Sequence, residues 1–268
     1  MIDWDDAYQN GKYISGGGEY LGMWKVKSAT YRESLPETRR EIGVAYGPHP
    51  REVYDLFLPA TPPKGVVVFI HGGYWQSLDH TLWSHLAAGP MAHGWAVAMP
   101  GYPLCPEVPL ADITQSIARA IGTIGDKING DIIISGHSAG GHLTARMACA
   151  DIPLPHAARI RRYVSISGVH DLRPLIRTSL NEALQLTMAS AAAESPALKT
   201  PREGVELLAW VGENERPEFL RQNDLLANIW RGVFAKTGCV HAKTHHHFSV
   251  IGDMATPQSA LAKALMAD

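Results

Sequence analysis

The feature that most constrains this chain is an apolar run that ends at a serine flanked by glycines. Residues 131–141 read Asp-Ile-Ile-Ile-Ser-Gly-His-Ser-Ala-Gly-Gly, so three isoleucines are followed almost at once by a G-x-S-x-G pattern at 136–140. In this pattern the serine, Ser138, occupies a very tight turn, because the glycines let a strand and a helix pass closely without Cβ clashes. Residues 143–148 continue with the apolar spacing of a helix. The segment therefore predicts a buried strand, a nucleophilic serine and a helix in immediate succession.

A second glycine-rich loop follows another apolar run upstream. Residues 65–70, Gly-Val-Val-Val-Phe-Ile, lack polar alternation, which is typical of a parallel strand covered on both faces. They lead directly into His71-Gly72-Gly73, where glycine would let the backbone approach a substrate carbonyl. The N–H groups of Gly72 or Gly73 and of Ala139 are therefore candidate donors to an oxyanion. Taken alone, a glycine pair at a strand end more often marks only a turn.

Length and charge restrict the class of protein. The chain has 268 residues, of which 46% are hydrophobic, which is enough for one sizeable core and predicts a single domain over 1–268. With 24 basic and 26 acidic residues the net charge is −2, so the chain has no electrostatic footprint for nucleic acid or an anionic membrane. We expect a small-molecule substrate as the partner, and a homodimer is one assembly that the chain could form.

The N-terminal sequence and the cysteines bear on location. The first six residues include three aspartates and lack both the basic and the apolar region of a secretory leader, and no stretch approaches the roughly 20 apolar residues of a membrane span. Three cysteines are too few, and odd in number, for a disulfide framework. We therefore expect a cytoplasmic protein, and nothing in the sequence calls for a cofactor.

Strand and helix patterns alternate along most of the chain. The strand-like segments are 53–58, 65–71, 95–99, 131–135, 162–167, 205–211 and 239–245. The helix-length segments between and after them include 110–125, 139–150, 217–231 and 256–266. This alternation predicts an α/β fold with a mostly parallel central sheet and helices on both faces.

Two segments fall outside this alternation. Residues 1–48 carry scattered aromatic residues around a glycine triplet, and we expect an ordinary N-terminal extension that packs on the main body, with a substrate-lining role as the alternative. Residues 172–200 are rich in Leu, Ala and Ser and lie between two predicted strands. An insertion at this place predicts a small helical cap over the mouth of the site, while plain surface helices are the alternative.

A serine nucleophile needs a base to take its proton and a carboxylate to orient that base. The histidines His245-His246-His247 lie at the end of the last predicted strand and precede Phe248. Alternation along a strand would place His245 and His247 on one side and His246 on the other. We choose His247 as the base, because it lies at the predicted transition from strand to loop.

The carboxylate is expected in the loop that follows the strand at 205–211. That loop reads Gly-Glu-Asn-Glu-Arg-Pro-Glu-Phe over 212–219. Most surface glutamates are merely solvated, but the imidazolium that forms on the base needs a buried partner. The residue pattern narrows the choice to Glu213 or Glu215 and does not decide between them.

Histidines near the C-terminus also raise the possibility of a metal site. The four that follow the candidate acid loop are His241, His245, His246 and His247. A zinc site would want Cys, Asp or Glu at ligand spacing nearby, and the neighbours Lys243, Thr244 and Ser249 supply none. We therefore predict no metal, and a metal-dependent amidohydrolase is kept only as an alternative.

Several short segments together resemble those of one enzyme family. They are His71-Gly72-Gly73-Tyr74-Trp75, Tyr102–Pro106, Gly136–Leu143, Ser167–Leu172, Pro217-Glu218-Phe219 and His247-Phe248. With them the chain resembles the arylformamidase (kynurenine formamidase) branch of the α/β-hydrolases and its bacterial esterase-like relatives. The resemblance spans about residues 50–250, and H-G-G-Y-W is its most particular piece.

The resemblance implies an α/β-hydrolase fold and a set of roles. The acid would lie two residues before Pro-Glu-Phe, at Glu215, where this branch usually has Asp, and the histidine before Phe would be His247. Ser138, Glu215 and His247 would then form a catalytic triad that cleaves a small ester or an aryl-formamide through an acyl-enzyme. Tyr74 and Trp75 would bind the aryl group, although both rings suit a core equally well. The remaining alternative is a catalytically vestigial protein that only binds a ligand.

Overall fold

The computed structural model describes residues 2–267, and its centre is an eight-stranded sheet. The strands are β1 (Arg40–Ala45), β2 (Val53–Phe57), β3 (Gly65–Ile70), β4 (Ala96–Pro100), β5 (Asp131–His137), β6 (Ile160–Ile166), β7 (Val205–Gly212) and β8 (Ala235–Ala242). They lie in the order β1-β2-β4-β3-β5-β6-β7-β8. Strand β2 pairs antiparallel with both of its neighbours, and every pair from β4 to β8 is parallel. The predicted mostly parallel sheet is confirmed. Strand β1 was not predicted, because this half-exposed edge strand has little apolar patterning.

The helices cover both faces of this sheet. They are α1 (Trp4–Ala7), α2 (Tyr20–Ser34), α3 (Ala88–Ala92), α4 (Leu110–Lys127), α5 (Ala139–Met147), α6 (Asn181–Leu184), α7 (Met188–Ala193), α8 (Pro217–Ile229) and α9 (Ala260–Met266). None of the helices within residues 2–267 has the length and apolar character that a bilayer crossing requires.

The unbroken apolar run of β3 follows from burial on two sides. Val66 and Val68 belong to the core cluster that also contains side chains of α4, α5 and α8. Val67 and Phe69 belong to a second cluster with side chains of α2, α3 and α9. Successive strand side chains point to opposite faces, so both faces need apolar residues, each contributing about 1.5–3 kcal/mol when fully buried.

His245, His246 and His247 do not lie on a strand, contrary to the sequence-based expectation. Strand β8 ends at Ala242, whose carbonyl accepts hydrogen bonds from the N–H groups of Glu213 and His245. Thr244 adopts a left-handed conformation with φ of +67°, which reverses the chain direction within the turn. The argument from alternating strand sides therefore fails, and His247 is positioned by a loop.

The insertion at 172–200 forms short helical turns beside the carboxyl ends of the parallel strands. Its far end is anchored in the body, because the Glu194 carboxylate accepts hydrogen bonds from Thr114 Oγ1 at 2.7 Å and from Arg146 Nε at 3.2 Å. Ser195 continues this anchor by accepting the Leu172 N–H at 2.8 Å. The C-terminal end of the insertion is thus fixed to helices α4 and α5.

Candidate active site

The site is built around Ser138, which connects β5 to α5. Its backbone lies at φ +57° and ψ −116°, a conformation that costs a non-glycine residue of order 1–3 kcal/mol. The surrounding hydrogen bonds hold it there: its N–H donates to the Ile166 carbonyl at 2.8 Å, and its carbonyl accepts the His142 N–H at 3.0 Å. The side chain is only 4% exposed. The fold therefore positions one serine rigidly at the end of the central strand.

The glycines beside this turn allow a close backbone approach. A Cβ on Gly140 would lie 2.0 Å from the Ile70 carbonyl oxygen, so α5 could not pack against β3 with any other residue there. A Cβ on Gly72 would lie 3.0 Å from Ser138 Cβ, which shows that the H-G-G loop runs directly beside the serine. Within residues 2–267, no backbone acceptor takes the N–H of Gly72, Gly73 or Ala139. These donors are available to a ligand.

His247 and Glu215 form a buried pair next to this turn. The distance from His247 Nδ1 to Glu215 Oε2 is 2.6 Å, and each residue is 6% exposed. Since an ionised carboxylate only accepts hydrogen bonds, Nδ1 carries the proton and Nε2 remains as an acceptor. Glu213, the alternative acid, is exposed, and its N–H is bonded to the Ala242 carbonyl. The structure thus brings Glu215, and not Glu213, to His247.

The other oxygen of Glu215 is held by the core of the protein. Glu215 Oε1 accepts a hydrogen bond from Ser167 Oγ at 2.5 Å and one from the Gly212 N–H at 2.9 Å. Ser167 lies just after β6, and Gly212 is the last residue of β7, so two neighbouring strand ends fix the carboxylate. Neither contact was predicted from the sequence, although Ser167 belongs to one of the segments that carry the family resemblance.

His137 connects the serine turn to the loop of the base. Its Nε2 lies 2.8 Å from the His247 carbonyl oxygen, and the two imidazole rings are 4.6 Å apart. Burial holds the pKa of His137 well below its usual range, and the neighbouring His247 lowers it further. His137 is therefore neutral and donates its Nε2–H to that carbonyl. Through this bond, the residue before Ser138 positions the loop that carries His247.

Ser138 and His247 both line one cavity of about 310 Å³. Its wall also includes Gly72, Gly73 and Tyr74. Three neighbouring aromatic residues of the wall are Trp24, Trp83 and Phe248. Ring centroids lie 4.6 Å apart for Trp24 and Trp83, and 5.4 Å apart for Trp24 and Phe248. The polar residues of the wall include Asp5, Gln9, Asn10, Lys12, Ser77 and Ser179.

The two aromatic residues of the H-G-G-Y-W motif lie in different environments. Tyr74 lines the cavity, and its hydroxyl donates a hydrogen bond to the Tyr8 carbonyl. The Trp75 ring is completely buried, packs edge-on against His142 at 4.9 Å, and is not among the described residues that line the cavity. The position of Trp75 therefore indicates core packing, the other role we considered for it, and not contact with a substrate.

The N-terminal segment contributes much of the cavity wall, which differs from the ordinary extension that we expected. We use the term N-terminal strap for residues 5–12, most of which line the cavity. Asn10 is buried, and its Nδ2 lies 3.4 Å from Glu215 Oε2. Its Oδ1 accepts the Arg216 N–H at 2.8 Å. The strap thus contacts the same carboxylate that holds the base.

Two further contacts fasten the strap to the rest of the molecule. Tyr8 donates its hydroxyl to Glu218 Oε1 at 2.8 Å. Asp5 accepts hydrogen bonds from the backbone N–H and the hydroxyl of Ser179, at 2.7 and 2.8 Å. Ser179 and Leu180 are the part of the 172–200 insertion that lines the cavity. The strap and the insertion therefore meet across the mouth of the site.

The four late histidines have different partners. His245 pairs with Asp253 at 3.4 Å, His246 lies 3.2 Å from the Tyr20 hydroxyl, and His241 pairs with Asp224 at 2.9 Å. His247 pairs with Glu215. Among the described residues, the one cluster with metal-ligand spacing contains His241 alone of the four. This arrangement gives no support to a shared metal centre of the four histidines at the cavity.

Comparison with known families gives one match over most of the chain. Residues 67–264 match the alpha/beta hydrolase family. Kynurenine formamidase from Danio rerio is 27% identical over 251 residues, which cover 90% of this chain and 85% of that protein. Kynurenine formamidase from Drosophila melanogaster is 26% identical over 232 residues, which cover 80% of this chain and 77% of that protein.

Comparison with solved structures gives the same fold. A Silicibacter crystal structure with a provisional thioesterase description is 45% identical, has a TM-score of 0.94, and matches over 100% of both chains. An esterase from Pyrobaculum calidifontis has a TM-score of 0.70 at 17% identity, and the match covers 92% of each chain. At that identity the second likeness shows the fold alone.

Proposed function

Since the chain belongs to the alpha/beta hydrolase family, we propose that it is a serine hydrolase that cleaves small esters or aryl-formamides through an acyl-enzyme. The single observation that carries this proposal is that Ser138 and a histidine–carboxylate pair come together at one cavity. Ser138 lines the cavity from a strained turn, and His247 lines it with its Nδ1 bonded to Glu215 at 2.6 Å.

In the first half of the proposed reaction, Ser138 Oγ attacks the substrate carbonyl while His247 Nε2 takes the hydroxyl proton. The resulting oxyanion is stabilised by the N–H groups of Gly72 or Gly73 and of Ala139. When the intermediate collapses, the bond to the leaving alcohol or arylamine breaks, and His247 returns the proton to that group. The acyl group is then bonded to Ser138.

In the second half, His247 takes a proton from a water molecule that attacks the acyl-enzyme. Collapse releases the carboxylic acid, which is formic acid for a formamide, and the proton returns to Ser138. Glu215 stays ionised throughout and stabilises the imidazolium. A carboxylate fixed by Ser167 and the Gly212 N–H suits this role, because it cannot turn away from Nδ1.

The shape of the cavity supports a small substrate with an aryl group. About 310 Å³ of space admits a ligand of modest size and restricts long acyl chains. Trp24, Trp83 and Phe248 offer apolar ring faces and edges within reach of Ser138. The kynurenine formamidase relatives favour a formamide, and the Silicibacter structure adds a thioester to the substrates worth testing.

The proposal is tested by labelling and by turnover. A fluorophosphonate probe should form one covalent adduct per chain, on Ser138, and Ser138→Ala should abolish both the adduct and the hydrolysis of p-nitrophenyl acetate. Assays of N-formylkynurenine, short and long p-nitrophenyl esters and a short acyl thioester then rank the substrates. If the wild-type chain took up no probe, a vestigial ligand-binding protein would be the better description. Activity that survives Ser138→Ala but is lost with a chelator would favour a metal-dependent amidohydrolase.

A further inference from the structure

A second cluster of reactive side chains lies at the outer edge of the sheet, away from the cavity. Asp224 projects from α8, while Cys239 and His241 lie on the edge strand β8. Their ligand-type atoms all lie within 4.8 Å of one another, and His241 Nε2 is 2.9 Å from Asp224 Oδ1. None of the three lines the proposed catalytic cavity.

The spacing of this cluster is set by two regular elements. Cys239 and His241 are two residues apart on a strand, so their side chains share one face. That face is turned toward α8, because Thr237, two residues before Cys239, donates its hydroxyl to the Ala227 carbonyl at 2.7 Å. Asp224 lies on the same helix, about one turn before Ala227. A helix and a strand that pack together therefore present three donors to one point.

The donor types match a borderline divalent cation. A thiolate and an imidazole together favour Zn²⁺ over Mg²⁺ or Ca²⁺, and a carboxylate is a third common zinc ligand. Donors on tetrahedral Zn²⁺ lie about 3.3–3.8 Å apart, given bond lengths near 2.0–2.3 Å. The three donors of the cluster lie within 4.8 Å of one another, and solvent can supply the fourth ligand.

The electrostatics of the cluster also suit a dication. In the part of the chain that the structure describes, His241 is the sole ion-pair partner of Asp224, and no Lys or Arg neutralises it. A Zn²⁺ ion bound to one thiolate, one carboxylate and a neutral imidazole would give zero net charge.

We propose that Asp224, Cys239 and His241 form a Zn²⁺ site that clamps helix α8 to edge strand β8. The clamp would join the two elements that flank the proposed acid and base, since Glu215 lies just before α8 and His247 lies in the loop after β8. Binding releases the thiol proton to solvent and needs no other reactant. The zinc site takes no part in the proposed serine chemistry, so either proposal can be wrong without affecting the other.

The sequence shows only part of this cluster. Cys239 lies two residues before His241, but two ligands do not make a metal site, and Lys243, Thr244 and Ser249 after them are not metal ligands. Asp224 is 17 residues from His241 and meets it only because α8 packs on β8. The prediction of no metal was therefore made without Asp224, which only the fold brings to this cluster.

The test is metal binding by the intact, reduced protein. Calorimetry should give one Zn²⁺ per chain, and Co²⁺ should produce tetrahedral d–d bands with a sulfur-to-metal charge-transfer band. Zn²⁺ at a hundredfold excess over Kd should raise Tm by roughly 5 °C. Cys239→Ser should remove the charge-transfer band and weaken Zn²⁺ binding by at least about tenfold, since even outer partners of a metal site cost that much. Cys105 and Cys149 are buried elsewhere and cannot supply the sulfur signal.

Matched variants separate this site from adventitious binding. His156 pairs with Asp126 at the same 2.9 Å but without a thiol, so His156→Gln should leave Zn²⁺ affinity unchanged, whereas His241→Gln should weaken it. Ser138→Ala should bind Zn²⁺ like the wild type, which keeps the two proposals distinguishable. The zinc proposal is wrong if Co²⁺ gives no sulfur band, if Cys239→Ser binds as tightly as the wild type, or if His246→Gln removes the binding instead.

Discussion

The turn at Ser138 and the N-terminal strap border the same cavity, but different forces hold them. The turn is part of the sheet: its backbone is bonded to β6, and the residues on either side of it in the chain are buried. The strap lies outside the sheet and is fastened by side chains, among them Asp5 and Asn10. We therefore expect changes near the turn to damage the chemistry or the fold, and changes in the strap to have smaller effects.

Glu215 is the point where the two regions meet. Its Oε1 accepts hydrogen bonds from Ser167 and Gly212, which belong to the frame of strands. Its Oε2 faces His247 at 2.6 Å and the strap residue Asn10 at 3.4 Å. The hydrogen bond from Ser167 to Glu215 is 2.5 Å long, whereas the contact from Asn10 is 3.4 Å long. This difference indicates that the strand ends, and not the strap, do most of the positioning of Glu215.

The largest effect is expected from Glu215→Gln. The glutamine oxygen can still accept from Ser167 and Gly212, so the fold should survive, but its NH₂ group would face His247 Nδ1. That forces the proton onto Nε2, the wrong tautomer for a general base, and should lower kcat by about 10⁴-fold. Ester hydrolysis with folding checked by circular dichroism measures this, and Glu215→Asp, the residue usual in this branch, serves as the milder control. A loss below about tenfold would exclude Glu215 as the orienting carboxylate.

The next-largest effect concerns the stability of the folded protein at acidic pH, and it comes from buried histidines outside the strap. Burial lowers the pKa of His71, His142 and His170 to about 3 in the folded protein. Unfolded chains bind protons at these histidines near pH 6.5, so between pH 6.5 and 3 the unfolded state holds more protons than the folded one. The free energy of unfolding should therefore be largest above pH 6.5 and fall by about 1.4 kcal/mol per pH unit for each histidine as the pH drops.

Urea unfolding at a series of pH values between 7.5 and 4.5 measures this slope. The three histidines together should contribute about 4 kcal/mol per pH unit to the slope, and His137 and His85, whose pKa values are also lowered by burial, add to it. His142→Gln keeps a donor for the Glu194 carbonyl, which His142 Nε2 contacts at 2.7 Å. It should reduce the slope by about 1.4 kcal/mol per pH unit, and a slope unchanged by this variant would contradict the assignment of His142 as a neutral buried group.

The turn could be predicted from the sequence because its causes are local. Three isoleucines before Gly136 favour a buried strand, and the glycines at 136 and 140 permit the sharp bend, so nothing distant needs to be known. The H-G-G loop follows from the same reasoning, since its apolar strand precedes it directly. The alternation of strands and helices likewise allows most of the sheet to be predicted from local sequence.

The rest of the site depends on contacts that leave no local pattern. Asn10 and Glu215 are 205 residues apart, and a single polar contact between them has no periodicity to detect. The end of β8 was misjudged because His245–His247 look compatible with a strand, whereas the turn at Thr244 depends on its contacts with the loop after β7. Trp75 shows the same limit, since residue type does not tell a buried ring from a ligand-binding one.

The smallest effect, and the sharpest test of the comparison, comes from a pair of alanine variants. Ser167→Ala removes a short, buried hydrogen bond to a charged group and should lower kcat by about tenfold, because such bonds contribute about 1.5–3 kcal/mol and His247 retains its own contact. Asn10→Ala removes a long bond on the strap side and should lower kcat only about threefold. Both values come from the same ester assay, with KM measured separately.

The pH profile of kcat tells positioning from general damage to the structure. A residue that positions Glu215 should shift the acidic limb of the profile when it is removed, since the carboxylate then stabilises the imidazolium less well. A residue with only a structural role would lower kcat at every pH alike. If Asn10→Ala proved as damaging as Ser167→Ala and shifted the profile equally, the strap would be as much a part of the catalytic frame as the strand ends. The difference that we infer between the rigid strand ends and the more weakly held N-terminal strap would then be wrong.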